Sequence, residues 1–512
     1  MVFWKKKKSG PKITGKGDLP PIPSEVFLAS PAKKFNWSRL IFILIGVLLF
    51  IAVYLAPTMP DAVDPAGKHF ALTREGKAAL ALFLLAATWW VFEVIPIGVT
   101  GIAIGVIQAL FLIRPAKAAF TDFMDPSVWF IFGALVIGRV FTKTGLTQRM
   151  AYRMLLMVGE RTSMISFGCF AMTAMLTLIM AHTAVAATVF PLLMAVYGLY
   201  DETGKPTRFG KGLFMGMAYV AGAGSIVTLL GAARAPVAIG FFKDMAGREI
   251  SFFEMTYYML PLGWIMVVLL WVLLRLIYKP EKRTIDGLKD KVAMLNSRLG
   301  PMTANEKISL LIVFGAISTL ALRSFIPALA PLDKSAIILV STVLFYLFGI
   351  LEIKDLEELP WNIALLFGGA MSIGFCLWQT GAANWLAVNW LVLFQKAHWL
   401  VFVVGIAVFV MLMTNFIMNV AAIAISLPVA LVIAQYLGVA PEVVFYSALA
   451  TAGMPFLLLV GAAPNAIAYE SKQFTSGEFL LTGIPASLLL IGVLILFIIF
   501  VWPWMGMPIL IR

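Results

Sequence analysis

The stretch TLIMAHTAVAATVFPLL, residues 177–193, decides how this chain folds. It lies inside an apolar run long enough for the roughly 20 helical residues that cross a bilayer. Yet it carries His182, one of three histidines in the chain, nine residues ahead of Pro191. A polar ring at membrane depth costs free energy unless it has a partner or a role. If 163–199 is instead a re-entrant helical hairpin, the histidine falls where the backbone turns. Irregular backbone at that depth is tolerated only when buried in protein or lining a wet cavity.

The rest of the chain supports a membrane setting. Of 512 residues, 61% are hydrophobic and 13% charged, and apolar runs of spanning length recur from end to end. The expected fold is an all-α polytopic membrane protein with about 11 transmembrane helices and two re-entrant hairpins. Helices are placed near 38–56, 76–94, 97–114, 127–142, 212–242, 255–278, 306–326, 335–352, 361–380, 439–469 and 477–503. The second hairpin, 395–436, also carries a polar interruption and then a proline, Pro428.

Charge fixes the orientation. The lysine-rich start, MVFWKKKKSGPK, lacks the apolar core of a cleavable signal and reads as a cytosolic tail, 1–37, touching anionic lipid. With that tail inside, 27 of the 39 Lys and Arg fall on the cytosolic side and only Arg234 is left at depth. Positive residues accumulate inside, so the amino terminus is cytosolic and the carboxyl terminus outside. The net charge of +13 then reflects topology, with no nucleic-acid partner. Cys169 and Cys376 lie in apolar segments and imply neither a disulfide framework nor a metal site. EIKDLEELP, 352–360, reads as a short amphipathic surface helix, and Glu93 as a structural helix-end partner.

The two halves echo each other. A shift of 237 aligns TLIMAHTAVAATVFP (177–191) with TNFIMNVAAIAISLP (414–428), placing Thr177 on Thr414, His182 on Asn419 and Pro191 on Pro428. A shift of 230 aligns GAARA (231–235) with GAAPN (461–465). Hairpins entering from opposite sides, each followed by an interrupted helix, describe an inverted-repeat transporter. At such interruptions the new helix amino termini offer free N–H groups to an anion, and unwound carbonyls can hold a small cation. Thr183 begins the second arm of the first hairpin, Pro236 suits the first turn after the first break, and Pro464 and Asn465 mark the second. The substrate expected between the tips is a small divalent anion.

On these residues the sequence resembles the divalent anion/sodium symporters, which move dicarboxylates, tricarboxylates or sulfate. The likeness includes FEVIPIGVTG, LEELPWNIALLFGGAMSIG, ISFFEMTYYMLPLG (250–263) and WPWMG. The resemblance implies a homodimer in which a mobile transport domain carries the site past a scaffold, elevator fashion. Its boundaries here are scaffold helices 38–162 and 306–394, transport parts 163–278 and 395–512, and a cytosolic linker 279–305. It also implies one sodium site per half, formed by the tip asparagine and break carbonyls, with Thr177 and Thr414 at a further ligand position.

The family's Ser-Asn-Thr tips read here as Ala181-His182-Thr183 and Met418-Asn419-Val420. Its Gly-Thr-Pro-Pro-Asn-like breaks read Gly231-Ala232-Ala233-Arg234-Ala235 and Gly461-Ala462-Ala463-Pro464-Asn465. The expected substrate contacts are Thr183, His182, Arg234, Asn419, Val420, Pro464 and Asn465. The cation positions, or their replacement, are Thr177, His182, Gly231, Arg234, Thr414, Asn419, Gly461 and Ala462. A permanently charged guanidinium would repel Na⁺, so Arg234 is expected to stand in for the first sodium. Thr414, Asn419 and Ala462 would keep one Na⁺ site.

The expected function is dicarboxylate transport in a bacterial plasma (inner) membrane, by exchange or with reduced sodium dependence. A sodium-coupled citrate or sulfate symporter, or an anion channel, is the alternative. The loss of tip hydroxyls also leaves a bulkier, more apolar organic anion open. No HExxH helix, GxSxG elbow, paired aspartates or clustered metal ligands point to an enzyme or a cofactor.

Overall fold

A computed structural model describes residues 37–63, 68–92, 94–201, 205–394, 398–416 and 418–511. The basic tail, apart from Trp37, and Glu93 lie outside these. The described chain is almost wholly helical, with one two-stranded ladder in which β1 (Ala62–Val63) pairs antiparallel with β2 (His69–Phe70).

The first half opens with α1 (Trp37–Leu55), α2 (Arg74–Val91), α3 (Ile97–Leu110), α4 (Ala116–Thr121) and α5 (Pro126–Thr144). The start of α5 is set by Asp125, whose carboxylate accepts from Ser127 N at 2.7 Å, with Pro126 at the first helical position. There a missing N–H costs nothing. Gly145, at φ +81°, ends it in a left-handed conformation that a side chain would strain. Then come α6 (Leu146–Val158), α7 (Thr162–Leu176), α8 (His182–Tyr200), α9 (Arg208–Gly224), α10 (Arg234–Ala246), α11 (Phe252–Ile277) and α12 (Leu288–Arg298).

The second half comprises α13 (Ala304–Leu322), α14 (Lys334–Leu347), α15 (Ile353–Glu357), α16 (Trp361–Gln379) and α17 (Ala382–Phe394). After these come α18 (Trp399–Phe416), α19 (Asn419–Tyr436), α20 (Pro441–Ala452), α21 (Ala463–Tyr469), α22 (Ser476–Leu496) and α23 (Trp502–Trp504). Among the described residues eight helices are long and apolar enough to cross a membrane. The chain is an all-α polytopic integral membrane protein.

Length and composition alone would count α8, α18 and α19 as spans. Packing adds what they omit. Helix α7 lies against α8 and α18 against α19, so each pair folds back on itself, the first at 177–181 and the second between Phe416 and Asn419. The interrupted helices are broken more widely than the sequence suggested: α9 and α10 are separated by 225–233, and α20 and α21 by 453–462. The halves interlock crosswise, α10 packing on α19 and α8 on α21.

A second group of helices forms the facing layer. Helices α3 and α16 run side by side at glycine contacts: a Cβ on Gly101 would sit 2.4 Å from the Leu365 carbonyl oxygen, and one on Gly369 2.3 Å from Gly101 Cα. Small residues at such seams let membrane helices approach closely. Gln108 on α3 donates to Ser372 Oγ on α16 at 2.8 Å, and Arg114 binds both Gln108 Oε1 (3.1 Å) and Asp122 Oδ2 (2.7 Å). Helices α5 and α16 connect this layer to α10 and to the hairpins.

Four helices, α4, α6, α12 and α17, have no counterpart among the elements read from sequence. The segment 279–305 is therefore more than a polar linker. In α12 Leu288 and Val292 are buried and the helix packs on α6. Arg149 of α6 anchors the chain between α12 and α13. It grips Glu306 through Nε (2.8 Å) and Nη2 (3.1 Å) and donates to the Gly300 carbonyl at 2.8 Å.

Candidate functional site

Both hairpin tips and both helix breaks line one cavity of about 70 Å³. From the first half come Ala181, His182, Thr183, Leu229, Leu230, Ala232, Ala233 and Arg234; from the second come Met418, Asn419, Val420, Ala462 and Ala463. Helices α5 and α16 close the remaining side with Ile131, Ala134, Leu135, Ile363 and Phe367.

The first tip is held by backbone. His182 N donates to the Gly231 carbonyl at 2.9 Å, and its Nδ1 lies 3.3 Å from the same oxygen. Thr228 Oγ1 donates to the Leu178 carbonyl at 2.8 Å, so turn and break are stitched twice. A Cβ on Gly231 would lie 2.6 Å from Ser225 O and 2.7 Å from Thr177 O. No side chain fits there, and the two carbonyls converge beside its Cα. Thr177 itself is buried, with its hydroxyl turned back to Ala174 O at 2.6 Å.

Arg234 opens α10 with its side chain 1% exposed. Its Nη2 donates to Ser225 Oγ at 2.8 Å, while Nε and Nη1 are buried with no partner. Ser225 caps the carboxyl end of α9, and the guanidinium also abuts Gly453, which caps the carboxyl end of α20. Helix carboxyl termini carry partial negative charge. The cation thus rests at two such ends in place of a carboxylate.

The second tip is organised differently. Asn415, in the last turn of α18, accepts from Leu457 N (2.8 Å) and Leu458 N (3.1 Å). Asn465 holds the break from its other side, donating to Pro455 O (2.8 Å) and Leu458 O (3.1 Å). Thr414 Oγ1 donates to Ala452 O at 3.0 Å, and a Cβ on Gly461 would lie 2.9 Å from Thr414 O. Asn419 is only 7% exposed and its Nδ2 has no partner. Neither Ala181 before α8 nor Met418 before α19 supplies a side-chain cap. Both 18–19-residue helices therefore present amino termini without side-chain caps to the cavity, the first N–H of α8 alone being taken up by the Gly231 carbonyl.

The sodium:sulfate symporter transmembrane region model matches residues 34–508. The chain belongs to that family. Among relatives, the sodium-dependent dicarboxylate transporter SdcS of Staphylococcus saprophyticus is 25% identical, over 92% of this chain and 93% of its own. The protein of that name from Staphylococcus aureus is also 25% identical, over 92% of each chain. Two solved structures share the fold at 14% identity: the Alcanivorax borkumensis YdaH transporter and Neisseria gonorrhoeae MtrF. The first has a TM-score of 0.57 over 92% of this chain and 99% of its own; the second, 0.55 over 90% and 94%.

Within this family member, the substrate positions named from sequence divide. Thr183, His182, Arg234, Asn419 and Val420 line the cavity; Pro464 and Asn465 are buried behind it, the asparagine spent on backbone carbonyls. Of the cation positions, His182, Arg234, Asn419 and Ala462 also line the cavity, whereas Thr177, Gly231, Thr414 and Gly461 form the backbone shell around it. Sequence reasoning missed Asn415 and the apolar wall from α5 and α16. An asparagine next to Thr414 in an apolar run was a usable signal for the former.

Proposed function

We propose that the protein is a secondary active transporter of small divalent organic anions, dicarboxylates such as succinate, malate or 2-oxoglutarate. The observation that carries this reading is the pair of helix amino termini without side-chain caps facing one cavity. Each offers free N–H groups and partial positive charge to one end of a dianion. The names of the staphylococcal relatives point the same way. Helices 163–278 and 395–512 would form a transport domain moving against scaffold helices 38–162 and 306–394, within a homodimer. The setting is a bacterial plasma membrane with the amino terminus cytosolic and the carboxyl terminus outside.

The first cation site is proposed to be replaced. A guanidinium bonded to Ser225, beside the converging Thr177 and Ser225 carbonyls, leaves that shell poorly suited to Na⁺. Two unit charges 4 Å apart repel by about 4 kcal/mol at an effective dielectric of about 20. In the second half Asn419, the Thr414 carbonyl and Ala462 remain available for one cotransported Na⁺. The consequence is exchange, or transport with reduced sodium dependence. Succinate uptake into proteoliposomes tests it: removing the fixed cation in Arg234→Ala should steepen the Na⁺ dependence. Equal steepness in both proteins would refute the replacement.

A further inference from the structure

The same cavity carries information about the body of the substrate. A dianion held end to end between two helix amino termini turns its middle toward α5 and α16. There the wall is Ile131, Ala134, Leu135, Ile363 and Phe367, with no hydroxyl, amide or charge among them. The tips contribute Ala181, Met418 and Val420 where hydroxyl-bearing residues would have added donors. The polar groups left, Thr183, His182, Asn419 and Arg234, are at the two ends, and Asn419 Nδ2 and Arg234 Nη1 are buried donors without partners. Leu135 also lines a second cavity, of about 550 Å³, between α5, α6, α8 and α12, where apolar residues such as Leu155, Ala187 and Leu192 stand among Arg139, Thr142 and Thr188, so there is room beyond the tips on that side.

Resting on the reading of this cavity as the transport site, we infer that the substrate is a dicarboxylate carrying an apolar branch, an alkyl- or aryl-substituted succinate. Its two carboxylates meet the helix amino termini and Asn419; its branch lies on the wall and points past Leu135. Succinate fits the ends but leaves the wall uncovered. Malate and citrate place a hydroxyl against a surface with no partner for it, and an unsatisfied buried polar group is penalised. Sulfate has no carbon skeleton to cover the wall.

The test uses the full-length protein, purified as a monodisperse species and also reconstituted into proteoliposomes. Thermal-shift titration and counterflow are run with succinate, malate, 2-methylsuccinate, 2-butylsuccinate, 2-benzylsuccinate and sulfate, each with Na⁺ and with choline. Binding should tighten about fourfold per methylene covered by the wall. Butylsuccinate should therefore outbind succinate at least tenfold, with malate weakest of the dicarboxylates. In Ile363→Ser, which puts a hydroxyl into the wall, the butyl-over-plain ratio should fall to below threefold. Succinate binding as tightly as its branched analogues would overturn the inference and leave the dicarboxylate carrier standing. A ratio unmoved by Ile363→Ser would overturn the assignment of the branch to this wall. If no dicarboxylate shifted the melting temperature or exchanged, the inference would fall with the transport reading itself.

Discussion

Gly453 makes room for Arg234. A Cβ at position 453 would lie 2.6 Å from the arginine Nη2 and 3.0 Å from its Cζ, as well as 2.4 Å from Ile226 Cγ2. The glycine thus couples the break of one half to the charge at the break of the other. A side chain at 453 must displace either a branched aliphatic residue or a guanidinium bonded to Ser225. Gly453→Ala is expected to destabilise the protein by about 2 kcal/mol through overpacking. Arg234→Ala should recover part of that loss. A double-mutant cycle by thermal unfolding in detergent should give a coupling of at least about 1 kcal/mol. Additive effects would show that the two residues do not compete for the space.

Asn419 presents the opposite situation, a buried amide with a donor left unused. Such a group weakens the folded state in the absence of ligand, since it loses water and gains no partner. Asn419→Ala should therefore leave stability unchanged or raise it by up to about 1 kcal/mol, read from the melting temperature. The same substitution should weaken dicarboxylate binding about tenfold or more, measured as the loss of ligand-induced thermal shift. A residue that merely filled space would lower both stability and affinity.

Asn415 should behave as a structural clamp. Its Oδ1 satisfies the N–H groups of Leu457 and Leu458, and its Nδ2 donates to the Met411 carbonyl at 2.7 Å. Alanine would leave two backbone donors unpaired in the turn that shapes the second break. The expected cost is about 2–3 kcal/mol. Asn415→Asp keeps the accepting oxygen and should restore much of the loss relative to alanine, read from the same unfolding curves.

These residues also show what could be read from the chain and what could not. The tips at His182 and Asn419 were legible because a polar residue and a proline recur at the same offset in both halves. The breaks were legible because Gly231 and Gly461 open matching small-residue runs in the two halves, one carrying a charge at depth, Arg234, and the other a proline and an asparagine, Pro464 and Asn465. Ile131 and Phe367 carry no such mark: an aliphatic or aromatic residue in an apolar helix reads the same whether it faces lipid, core or ligand. Side-chain direction depends on tertiary packing, so nothing in GAARA foretold that the guanidinium would turn toward Ser225 and Gly453. Helix α12 was hidden because more than half of LKDKVAMLNSR is polar or charged, and its short apolar face packs against α6.

The short helix α15 offers a pH-dependent prediction. Asp355 on α15 is ion-paired with Lys143 (2.5 Å) and Arg139 (3.0 Å) and accepts from Glu352 N at 2.9 Å. Burial pushes its carboxyl up, but Lys143, the Glu352 N–H and Arg139 together outweigh that and hold it below the ordinary value. A carboxylate depressed in the folded state stabilises it above the unfolded pKa of about 3.9, and that contribution fades as pH falls through the folded value. Asp355→Asn should therefore lower stability by about 2 kcal/mol at pH 7, since both cations lose a partner. The gap between wild type and variant should hold from pH 7 down to about pH 5 and shrink below about pH 4. Melting temperatures across that range check it, and a gap that stayed constant below pH 4 would place the stabilisation elsewhere than in the ionised carboxylate.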